Sequence, residues 1–225
     1  MKEPKRTVLG NQDEREKSRE LTQKEQQRLQ KFEDLSDTLI REGFSRIELT
    51  VSIVKANAFA VILLIPLLVA GIALFLLRNR QLSGSIGLMS LVLYLAVLAA
   101  LIILHELIHG VSWAVFAEHH WKDIEFGFMK QYLTPYCTCG VPLSKGQYVF
   151  GALMPLILLG IVPMIAGILI GSMPMLFIGI IMADSVAGDI LIVRKILNYR
   201  SEADIVTYID HPTQAGGVIF EKKTA

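Results

Sequence analysis

Cysteine is scarce. The 225 residues contain two, Cys137 and Cys139, in "YCTCG". Thiols one residue apart are poorly placed for a disulfide, and two alone cannot make a four-ligand zinc site, so both read as packing or loop residues. Excess charge of either sign is also lacking. Twenty-two Lys and Arg face 21 Asp and Glu, for a net charge of +1, which offers no electrostatic footprint for a nucleic-acid partner. No internal repeat is visible, which argues against a repeat architecture. The most informative absence is local. No charged residue occurs from Ala58 to Leu77, from Gln81 to Leu104, or from Gly146 to Ala183, the last run broken only by the turn-like "GSMP".

Twenty uncharged positions are enough to cross a hydrocarbon core of ~30 Å at ~1.5 Å per residue. The runs predict an all-α membrane protein with four transmembrane helices, at about 58–77, 86–115, 147–171 and 174–193. Pro66, Pro155 and Pro163 fall inside them and read as ordinary kinks, tolerated where neighbours satisfy the freed carbonyl. The first run begins almost sixty residues in, so the charged leader is expected to stay with the mature protein. Arg41, Arg46, Lys55, Lys122, Lys130, Lys145, Arg194, Lys195 and Arg200 flank the spans on one side, and only Arg78 and Arg80 on the other. That bias predicts an integral membrane protein with both termini in the cytoplasm.

Three regions follow. Residues 1–41 form a charged, largely solvated helical leader in which Leu29, Phe32, Leu35 and Leu39 keep helical spacing, and Gly43 is a plausible stop. Residues 42–198 form the membrane domain. Residues 199–225 form a cytoplasmic tail with a possible strand at "GGVIFE". Between the second and third spans, Ile124, Phe126 and Phe128 alternate, with Gly127 and Pro135 as punctuation, which predicts a short β-hairpin-like loop.

The stretch "LIILHELIHGVSWAVF" carries the chemistry. His105 and His109 stack on one helix face, about 6 Å apart, so two imidazoles can reach one zinc ion. Glu106 follows the first histidine, where a zinc hydrolase keeps the carboxylate that takes the proton of the attacking water. Ionisable groups at membrane depth cost ~2.5 kcal/mol or more each, so unneeded ones are rare there. A third ligand is required. Asp184 and Asp189, in "MADSVAGDILIV", are the other ionisable residues within the spans. On a regular helix they point about 140° apart, so one ligand is expected. Asp189 is preferred, because Gly188 beside it would permit close helix approach and because helical rise sets it at the height of His105. Asp184 is the second choice, as a ligand or as a group orienting a histidine. His119 and His120 read as interfacial loop histidines, and His211 receives no role.

"HELIHG" in a spanning helix, followed by an aromatic loop and an aspartate in a later span, resembles the site-2 protease class of intramembrane zinc proteases. With "EGFSRIELTVSIVKAN", "TPYCTCGVPLSKGQYVFGALMP" and "DHPTQAGGVIFE", the chain more closely resembles the bacterial family described as putative zincin peptidases, over roughly Leu39 to the C-terminus. The resemblance implies one zinc ion held by His105, His109 and Asp189, Glu106 as the catalytic glutamate, and a bacterial plasma membrane. The reading is a membrane-embedded zinc metallopeptidase cutting membrane-protein or peptide substrates near the cytoplasmic face. An unwound substrate could pair with the edge of "IEFGFMKQYL". A metal-handling or transport protein using the same site, or an inactive scaffold relative, are the rival readings. Substrate identity and oligomeric state are not legible.

Overall fold

The computed structural model describes residues 6–8, 21–80, 87–129 and 134–224. Ile86, where the second span was expected to begin, and most of the leader before Leu21 lie outside them. A short strand, β1 (Arg6–Val8), precedes α1 (Gln23–Arg41), which opens with a reciprocal Thr22–Glu25 capping box. Strand β2 (Ser45–Thr50) leads directly into α2 (Ile53–Asn79). Helix α3 (Leu88–Ala114) is followed by a hairpin of β3 (Ile124–Met129) and β4 (Thr134–Cys139). Helix α4 (Lys145–Ile170) contains a π-type stretch just after Pro155. Proline supplies no N–H and disturbs the ladder there. Then come α5 (Met173–Ser185), α6 (Ala187–Asn198), β5 (Ile205–Asp210) and β6 (Gly216–Lys222).

Three helices, α2, α3 and α4, are long and apolar enough to cross a bilayer. The count is four if α5 and α6, bent by 46° at Val186, are taken as one span. Their outward faces are unusually greasy: Val61, Ile62, Val69, Leu93 and Ile103 are each more than half exposed. Such a belt is larger than the apolar patches usual on soluble monomers. Inward, Phe75, Leu176 and Ile180 form a fully buried knot between α2 and α5. At Gly179 an added Cβ would come within 2.4 Å of the Met164 backbone, so only glycine lets α4 and α5 pack this closely.

The all-α expectation needs correction. The described strands form a four-stranded sheet in the order β1-β2-β6-β5, plus the two-stranded hairpin. The expected strand at "GGVIFE" is β6, and the expected hairpin is β3–β4, with the turn at 130–133 outside the described residues. β2 lies in the region assigned to the membrane domain, where the sequence analysis places no strand. It is a central strand, antiparallel to β6 from Ser45↔Glu221 to Thr50↔Gly216, and buried at five consecutive positions. A strand covered on both faces shows no alternation to detect.

Helix α1 packs Phe32 against Ile209, Val218 and Phe220 of the sheet. Arg46 on β2 lies over the Phe32 ring and bonds Glu33 at 2.8 Å and the buried Glu48 at 2.9 Å, tying helix to sheet. A second core joins the sheet to the inner ends of the long helices, with Ile47, Leu49, Trp113, Leu143, Tyr148, Ile196 and Tyr208 in contact. The sheet therefore forms the floor against which α3, α4 and α6 end, and the candidate site lies just above it.

Candidate metal centre

The last turns of α3 carry His105 and His109, both buried, with their Nε2 atoms 3.1 Å apart. The Asp189 Oδ2 atom, from the first turn of α6, lies 3.7 Å from each. The structure thus brings together two histidines and the preferred aspartate. Four-coordinate zinc at ~2.0–2.1 Å keeps its ligand atoms ~3.3 Å apart. The two nitrogens would part slightly and the carboxylate would close on them by about 0.4 Å to match.

The outer nitrogens test the fit further. His109 Nδ1 is 2.9 Å from the Gly151 carbonyl oxygen. A carbonyl only accepts, so Nδ1 carries the proton and Nε2 of the neutral ring presents a lone pair. His105 Nδ1 lies 3.3 Å from Ser185 Oγ, whose hydroxyl proton goes to the Met182 carbonyl at 2.8 Å. Ser185 therefore accepts from His105, and the second ring is set in the same tautomer. Both lone pairs face Asp189. Two imidazoles and a carboxylate so arranged form the donor set that suits zinc.

Two packing features hold this arrangement. Trp113, one turn beyond His109, stacks on its ring at 5.2 Å and donates its indole N–H to the Tyr148 carbonyl at 3.1 Å. A Cβ at Gly151 would lie 2.1 Å from that indole, so the carbonyl that orients His109 belongs to the residue that must be glycine. A Cβ at Gly110 would meet Phe126 at 2.6 Å, so glycine beside the second histidine lets the hairpin pack against α3.

Glu106 is half-buried beside the histidines and accepts a hydrogen bond from the Cys137 backbone N–H. The next outward-facing amide of β4, at Cys139, donates to Asp210 at 2.8 Å, and Pro135 has none. On this side the hairpin therefore offers no run of free N–H donors for an added strand. Asp210 also accepts from the Tyr148 hydroxyl. Burial pushes its carboxyl up to about 6 against the opposing pull of those two hydrogen bonds. Burial likewise raises both thiols, Cys139 to about 12.

Asp184 is not among the three clustered ligands. The regular helix assumed between the two aspartates is broken at Val186, so the 140° reckoning does not apply. Asp184 lines the same cleft, with one buried carboxylate oxygen lacking a hydrogen-bond partner. Gly188 is not a packing requirement, since a Cβ there would sit 3.8 Å from Ala56, an ordinary contact. His119 and His120 lie outside the cluster. His119 pairs with Asp123 at 3.4 Å, and His120 bonds the Ala114 carbonyl. His211, given no role in the sequence reading, lines the cleft with Asp210 and Gln214. The cleft has a volume of about 340 Å³, and Arg28 of α1 closes one side by bonding the Tyr136 hydroxyl and the Pro212 carbonyl.

The sequence reading missed Ser185, Trp113, Gly151, Tyr148 and Asp210. Only Trp113 had a legible signal, four residues after His109 on the same helix face.

Two histidines, an aspartate and the glutamate beside them are the groups that a zincin-type centre uses, and His105, His109 and Asp189 could hold a metal ion. Residues 98–203 match the model of the family described as "Putative zincin peptidase". The match takes in His105, Glu106, His109, the hairpin and Asp189, and stops before β5. No curated protein matches the chain, and no solved structure does.

Proposed function

We propose that the chain is a membrane-embedded zinc endopeptidase that hydrolyses peptide bonds of membrane-associated proteins or peptides near the cytoplasmic face. The observation that carries this reading is the convergence of His105 Nε2, His109 Nε2 and Asp189 Oδ2, with both outer histidine nitrogens already engaged and Glu106 alongside. One zinc ion per chain, held by those three residues, would supply Lewis acidity towards a scissile carbonyl and a water molecule.

The rest of the chemistry falls to the protein. Glu106, oriented by the Cys137 N–H, takes the proton of the attacking water and delivers it to the departing amine. The unpartnered oxygens of Asp184 and Gln214 on the cleft wall accept N–H groups of a substrate backbone that has unwound. Those acceptors support an extended substrate better than pairing along β4, whose outward amides are taken. The apolar faces of α2, α3 and α4 support placement in the bilayer, and the excess of basic residues at one end of the spans supports cytoplasmic termini.

The test is Glu106→Gln in purified protein with a transmembrane peptide as substrate. Cleavage should fall by at least a hundredfold while zinc content stays near one per chain. Undiminished cleavage refutes the peptidase assignment. Zinc flux into liposomes that survives the substitution would favour the transport reading.

A further inference from the structure

A second cleft, of about 520 Å³, lies where the start of α2 meets the end of α6. Lys55, Arg194 and Lys195 all line it. Among the described residues, neither Lys55 nor Arg194 forms an ion pair with a carboxylate. Lys195 donates to the Thr50 carbonyl, which holds its ammonium at the cleft floor. Three cations at one site repel each other, and among the described residues no carboxylate pairs with the outer two.

Two further observations point to an anion. Thr50 is 3% exposed, and its Oγ1 has no hydrogen-bond partner, although the residue lines the cleft. Ser52, the N-cap of α2, is buried and makes no side-chain capping bond. The positive end of a 27-residue helix thus opens on the cleft with two hydroxyls unspent. The remaining wall is apolar. Phe59, one turn beyond Lys55, and Leu191, one turn before Lys195, lead onto the greasy outer face of α2, where Ile62 is 66% exposed.

We propose that this cleft binds the phosphate of an anionic membrane phospholipid, with its acyl chains lying along Phe59 and α2. A soluble anion would use the cationic floor but not the apolar wall, and the ammonium of a zwitterionic headgroup would meet three like charges. Because α6 also carries Asp189, a headgroup bridging Lys55 and Arg194 clamps the start of α2 to the helix that supplies the third ligand. The inference rests on the bilayer placement above and is independent of the peptidase chemistry.

The experiment titrates the detergent-solubilised full chain with dioleoyl phosphatidylglycerol, the matching phosphatidylcholine, or inorganic phosphate, reading bound lipid by native mass spectrometry and stability by Tm. Phosphatidylglycerol should be retained and should raise Tm, and phosphatidylcholine should bind at least tenfold more weakly. Lys55→Gln with Arg194→Gln should weaken phosphatidylglycerol about 30-fold, since each cation contributes about 1 kcal/mol and 1.4 kcal/mol is tenfold. Thr50→Val, nearly isosteric, should weaken it several-fold. Arg78→Gln with Arg80→Gln removes equal charge from the far end of α2 and should change nothing. An undiminished double variant, an equal loss in the Arg78/Arg80 control, equal binding of phosphatidylcholine, or displacement by millimolar phosphate overturns the assignment. Alkaline washing of membranes tests the bilayer placement separately: release of the chain refutes that placement, whatever the lipid titration shows.

Discussion

Replacing Ser185 by alanine is the most discriminating perturbation of the metal centre. The hydroxyl touches no ion. It accepts from His105 Nδ1 and spends its own proton on the Met182 carbonyl one turn back. Removal frees the His105 ring to rotate and leaves both imidazole nitrogens able to carry the proton. Loss of such an outer partner typically weakens a metal site 10- to 100-fold. The 3.3 Å separation is at the long end for this contact, so the expected effect is the smaller one, about tenfold or about 1.4 kcal/mol. Ser185 is exposed, so the truncation leaves no cavity and Tm of the metal-free protein should hold within a degree or two. Zinc affinity measured by competition with a chromogenic chelator gives the answer, and Ser185→Thr, which keeps the hydroxyl, should restore it. Asp184→Asn, on the preceding residue, should shift affinity less than twofold, whereas Asp189→Asn should cost at least a hundredfold. If Ser185→Ala holds zinc as tightly as the parent, the tautomer argument fails. If Asp184→Asn loses the ion and Asp189→Asn keeps it, the third ligand is misassigned.

Gly151→Ala should drive a methyl into the Trp113 indole, cost about 1–3 kcal/mol, and lower bound zinc by displacing His109, as read by unfolding and metal content. Arg46→Leu removes the guanidinium that bonds the Glu48 carboxylate, 1% exposed, at 2.9 Å, and should cost about 3–5 kcal/mol in denaturant unfolding. Asp210 has a folded pKa of about 6, above the ordinary unfolded value of ~3.9. It therefore contributes stability below about pH 4 that is lost as pH rises through about 6. The Tm difference between parent and Asp210→Asn should accordingly shrink across that window, and a difference that grows instead refutes the burial of this carboxyl.

The site and the fold differed in how far they could be read from sequence. The HExxH spacing and the uncharged runs are short-range signals, and they located α2, α3, α4 and the two histidines. Gly188 does not account for where Asp189 sits, since it has room for a side chain. What aims Asp189 is the 46° bend, and a sequence reading that assumed one continuous helix had no access to it. Strand β2 was hidden because α1 and the helix ends cover both its faces, which erases the period-two pattern. Asp210 acts across more than 70 residues on Cys139, through a contact with no local signature. The hairpin was legible because Ile124, Phe126 and Phe128 fall at alternate positions, although Ile124 is buried in the core while Phe126 and Phe128 are exposed.

Strand β2 leaves the ribosome about 170 residues ahead of β6, the neighbour that completes its hydrogen bonds. Every long apolar helix of the chain is synthesised in that interval. A nascent molecule consequently carries one open flank of β2 throughout that interval, and the brace between Asp210 and the hairpin forms among the last contacts made. The hairpin beside the candidate centre is then braced only after β5 emerges, so a polypeptide stalled inside its final helix would hold both histidines without that brace.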